Sequence, residues 1–134
     1  MERTITVLTD VKDVAELLGG ARVDQANVIP QGGASELRLE LTRAMLECAP
    51  QKRGLFQRPK VPWTKSRLTL KQITGMEVRH VTDQPPEEMP VVSVDAAVGG
   101  YQVTVKTPEG LQMVMTALQL DGTFADIGAP IQSP

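Results

Sequence analysis

The sequence predicts one α+β domain, mostly β: a twisted, largely antiparallel sheet or partial barrel of short strands with one short N-terminal helix. Three observations carry that expectation. Short runs of period-two alternation recur along the chain with turn residues between them, above all in its second half. Only one segment shows a compact helical stripe with start and stop signals. The 134 residues are 41% apolar with a net charge of −2, which suits a single core and not an intrinsically disordered chain.

Residues 4 to 8, Thr-Ile-Thr-Val-Leu, read as a strand that stops at Thr9-Asp10. The helix follows over residues 11 to 18. Asp10 is its expected N-cap with Asp13 completing a capping box, Val11, Val14, Ala15, Leu17 and Leu18 form the apolar stripe, and Gly19-Gly20 stop it. Two turns are too short to stand alone, so the stripe is expected to lie on a sheet. Residues 22 to 29 read as extended, ended by Pro30 and the Gly32-Gly33 turn.

Residues 36 to 48 support two readings. Leu37, Leu39 and Leu41 alternate with Glu36, Arg38, Glu40 and Thr42 as in a half-buried strand, yet Leu37, Leu41, Ala44, Met45 and Cys48 share a helical face. The unbroken alternation favours the strand, since the helix leaves Leu39 and Leu46 off its stripe. Residues 50 to 65 hold no period and are punctuated by Pro50, Gly54, Pro59 and Pro62, so they read as a long loop.

Residues 66 to 73, 77 to 81 and 91 to 98 are expected as short strands, parted by Gly75 and by a Pro-rich acidic stretch at 83 to 88. The clearest hairpin has Tyr101, Val103 and Val105 on one arm, Thr107-Pro108-Glu109-Gly110 as its turn, and Leu111, Met113, Met115 and Ala117 on the other. A second turn at Asp121-Gly122 leads into residues 123 to 127, and 128 to 134 read as an extended or frayed tail.

The largest anomaly is electrostatic. Residues 48 to 76 hold seven basic groups and no acidic one, against net charges of −3 before them and −6 after. Lys52, Arg53, Arg58, Lys60, Lys65, Arg67 and Lys71, with Trp63 and Phe56 among them, form a candidate polyanion contact, holding phosphates by charge and bases by stacking. The plainer reading is a basic stretch that neutralises the acidic remainder of the molecule or of a partner; the overall negative charge favours it. Trp63 reads as an anchor pinning the loop to the core. The Pro59 to Pro62 spacing is a weak polyproline signal.

Catalytic and metal signatures are sparse. His80 is the one imidazole; with Asp83, Glu87 and Glu88 it offers a small enzyme or metal site only as a third reading. One Cys and one His cannot supply a four-ligand structural zinc site. Cys48 has no base placed beside it, no nucleophile elbow or phosphate loop occurs, and Asp121 with Asp126 make a carboxylate pair only on paper. No cofactor is implied. The lone cysteine, the absence of a signal sequence and the absence of a long apolar run point to a soluble cytoplasmic protein without a membrane role.

Function is expected from a surface. Both faces of the last long strand are apolar, Leu111, Met113 and Met115 on one side and Val114, Leu118 and Leu120 on the other, which asks for a covering layer. The reading is a non-catalytic protein-binding or assembly module, self-association included, with Leu111, Met113 and Met115 as candidate partner face. Polyanion or nucleic-acid binding through residues 51 to 71 is the alternative.

Overall fold

The computed structural model describes residues 2–45, 62–79 and 90–129. Its elements run β1 (Glu2–Ile5), α1 (Leu8–Leu17), β2 (Arg22–Gln31), β3 (Ala34–Ala44), β4 (Trp63–Arg79), β5 (Val92–Ala97), β6 (Gly100–Lys106), β7 (Gln112–Ala117) and β8 (Gly122–Asp126). The strands form one curled antiparallel sheet, a half-barrel, with the short helix packed on β1 and β5. That is the expected fold class.

β4 is the spine. β3 runs along one edge of it from Trp63 to Ile73. The other edge is shared: β8 takes Ser66 to Leu70 and β7 takes Ile73 to Arg79. β7 and β8 therefore lie in line, and the chain between them steps along β4 instead of turning back. The step is fixed where the Leu118 N–H donates to the Gln72 carbonyl at 3.0 Å and the Lys71 N–H to the Asp121 carbonyl at 2.7 Å. Asp121-Gly122 is thus a re-entry into the same ladder, not the reversing turn its composition suggests. Gly122 is obligatory there, because a Cβ would come within 2.1 Å of the Thr69 carbonyl oxygen.

The expected strands at 66 to 73 and 77 to 81 are one strand up to Arg79, with Val81 outside the described residues. Gln72, at φ 63°, and an irregular register between Ile73 and Gly75 bend this strand without ending it. Its first residues, from Trp63, also shorten the loop expected to reach 65. Residues 50–61 of that loop lie outside the described residues.

β3 resolves the helix-or-strand ambiguity. With β2 and β4 on its two edges, Leu37, Leu39 and Leu41 are all fully buried, each contributing roughly 1.5–3 kcal/mol; a helix would have buried only two of the three. Pro30 does not end β2, because an edge strand tolerates a missing donor. Gly32-Gly33 makes the tight β2–β3 turn, with Gly32 at φ +71°.

The helix starts earlier than its sequence suggests. Val7 is the N-cap and Asp10 occupies the third helical position, where its carboxylate accepts the N–H groups of Thr6 (3.0 Å) and Val7 (3.2 Å). Those backbone bonds hold the Asp10 carboxyl below its usual range. Asp10 is therefore the reaching-back acid, not the cap, and β1 ends at Ile5. The predicted stripe holds: Val11, Val14 and Leu18 are buried with Ala15 and Leu17 against them.

Candidate functional site

Three places on the half-barrel gather chemistry, and β4 supplies residues to all of them. The first is the basic run. Lys52, Arg53, Arg58 and Lys60 fall outside the described residues. Lys65 and Arg67 alternate on the outer face of β4, and both meet acids brought alongside by β2 and β3. The Lys65 ammonium lies 3.0 Å from Asp24 and 2.8 Å from the Thr42 hydroxyl, while Arg67 lies 2.9 Å from Glu40. Asp24 also accepts from Thr42 (2.6 Å) and Arg22 (2.8 Å). Partial burial pushes its carboxyl up, and these three donors outweigh that, leaving it below its usual range. The acid–base matching is the plainer reading of the basic stretch, for the two residues that show it. Lys71 is exposed, and Trp63, opposite Ala44 at the start of β4, is half-buried.

The second place is buried and polar. Arg43 is fully buried, continuing inward the alternation of Leu37, Leu39 and Leu41. Its Nε and Nη2 donate to the two oxygens of Asp126 at 3.1 and 3.0 Å, a forked pair. Ser66 donates to the same carboxylate at 2.6 Å and accepts from Arg43 at 3.1 Å. The guanidinium also lies 5.5 Å from the centre of the Phe124 ring. Burial pushes the Asp126 carboxyl up; the Ser66 hydroxyl and the Arg43 charge outweigh it, so Asp126 stays below its usual range. Among the described residues no base lies beside Ser66, and the cluster clasps β3, β4 and β8 together. Asp126, half of the carboxylate pair considered with Asp121, is engaged by Arg43 and Ser66.

Sequence reasoning missed this cluster, although a signal was present. The same period-two count that buries Leu41 also buries Arg43, and counting two past Phe124 reaches Asp126.

The third place is the open side of the half-barrel. Two rows of apolar side chains cross its inner face: Val78, Met113, Val105 and Val92, and Met76, Met115, Val103 and Val94. At the β7 end these are enclosed, Met113 being 6% and Met115 1% exposed; at the β4 end Val78 is 51% and Met76 54% exposed. A groove of about 350 Å³ opens here, with Asp24 and Ala26 of β2 on one side and Val78, Leu111 and Met113 on the other. Of the expected partner face, Leu111 and Met113 thus line a groove, whereas Met115 lies in the core and offers nothing to a partner. The exposed apolar side chains beside it are Met76 and Val78.

His80, Asp83, Glu87, Glu88 and Cys48 lie outside the described residues. Among the described residues no three His, Cys, Asp or Glu side chains are grouped to hold a metal ion, and no helix is long and apolar enough to cross a membrane. Comparison with protein families, with curated proteins and with solved structures finds no match to this chain.

Proposed function

We propose that this chain is a non-catalytic protein-binding or assembly module of the cytoplasm that works through the open side of its half-barrel. One observation carries the reading: the inner apolar rows run out into solvent at Met76 and Val78, where the barrel stops short of closing. Monomeric domains rarely leave such rows uncovered, and covering them is what a protein partner does best. The pairing of Lys65 and Arg67 with Asp24 and Glu40 weighs against the polyanion alternative, because those cations are already matched.

Solution mass measured by light scattering at low and high salt, with and without a mixed oligonucleotide pool, tests the proposal. An assembly that persists in high salt and ignores the pool is the expected result. A monomer that the pool shifts only at low salt would instead make the basic stretch the functional surface.

A further inference from the structure

We infer that Met76 is an oxidation site, where hydrogen peroxide converts the thioether to the sulfoxide and so switches the open side of the half-barrel from apolar to polar. The switch rests on the assembly reading and names the regulation of that same surface. Met76 is the outermost member of the row that β4, β7, β6 and β5 carry across the inner face, Met76, Met115, Val103 and Val94. Of the described methionines it alone is exposed, at 54%; Met45 is half-buried, and Met113 and Met115 are enclosed.

That difference chooses the sulfur, because oxidation follows access to the oxidant. The thioether sulfur attacks one oxygen of the peroxide, the O–O bond breaks, and the sulfoxide and one water remain. Sulfur loses two electrons and the peroxide gains them.

The position in the row decides the consequence. A sulfoxide at Met115 would set a polar group inside the core, whereas one at Met76 turns its oxygen to water at the end of the row, so a single copy keeps its fold. What changes is the surface. The new acceptor cannot be matched against an apolar partner, and reduction back to the thioether restores the row. The coupling runs both ways: a partner that covers Met76 shields its sulfur, and a sulfoxide there keeps the partner off.

The test treats the full chain with hydrogen peroxide, reading each methionine by peptide mass spectrometry and the assembly by sedimentation equilibrium. Met76 should be oxidised roughly tenfold sooner than Met113 and Met115, and more slowly as protein concentration rises. Oxidised at Met76, the chain should associate roughly tenfold more weakly. Met76→Leu keeps the size and removes the reaction, so its assembly should survive peroxide, while Met76→Gln should be weakened without any. The side chain is exposed, so folding, followed by circular dichroism, should not change in either variant. Met113 or Met115 oxidised as soon as Met76 would overturn the oxidation site. An assembly indifferent to Met76 oxidation and to Met76→Gln would overturn the switch and leave the assembly reading standing. A monomer at every concentration before peroxide is added would overturn the assembly reading and the switch with it, and the order of oxidation would still decide the site.

Discussion

The two halves of β4 invert the usual relation between polarity and burial. Between Trp63 and Leu70 the strand is flanked by β3 and, from Ser66 on, by β8 as well, and even polar inward groups are sealed: Thr64 and Ser66 are buried beside Arg43. Between Gly75 and Arg79 only β7 lies alongside among the described residues, and inward apolar groups stay half-exposed. What an inward side chain experiences is decided by how many neighbours its strand has, not by its own hydropathy. The first half is sealed; the second is left exposed.

The contrast is most sharply tested at Asp126. Asp126→Ala removes a forked carboxylate partner from the buried Arg43 charge and should lower the unfolding free energy by about 3–5 kcal/mol in urea titrations. Arg43→Met combined with Asp126→Leu should lose much less than the single change. Equal losses would mean that the clasp is not acting as a pair.

Glycine substitutions compare the halves directly. At Gly122, beside the first half, an added methyl meets the Thr69 backbone, so Gly122→Ala should cost about 1–3 kcal/mol. Gly75 has nothing within 4 Å and does not adopt a positive φ, so Gly75→Ala should be neutral or should stabilise by about 0.5 kcal/mol. Thermal melts of the two variants give the difference.

Acid should act on the first half and its outer face. Asp126 and Asp24 are held below the usual carboxylate range, so the unfolded chain binds more protons than the folded one in acid. The stability they contribute is complete above about pH 4 and is lost as pH falls through their folded values. Urea midpoints followed from pH 6 downward (~6 to ~2.5) should fall less steeply for Asp126→Asn than for the parent chain. The smallest effect belongs to the exposed end: Val78→Thr should change the stability of one copy by no more than about 0.5 kcal/mol in urea titration.

Much of this was legible in residue patterns. The alternation at Leu37, Leu39 and Leu41 specified a strand against the helical propensity of its residues, since only a strand buries all three. The helical stripe, the Gly32-Gly33 turn and the hairpin around Thr107 to Gly110 were equally plain, because periodicity and turn chemistry are local. The clasp was half legible: alternation points Arg43 and Asp126 inward, but nothing local says that residues 83 positions apart meet.

The sequence by itself determined which face each strand turns inward, where the tight turns fall and how charge is distributed along the chain, all properties of neighbours in sequence. Only the tertiary structure decided that β4 bends at Gln72 and the irregular register before Gly75 without ending, that β7 and β8 lie in line along it, and that Met115 is enclosed while Met76 is exposed. These depend on which strand lies at each edge of β4, and edge partners are set by backbone hydrogen bonds between distant segments, which carry no mark in the side chains.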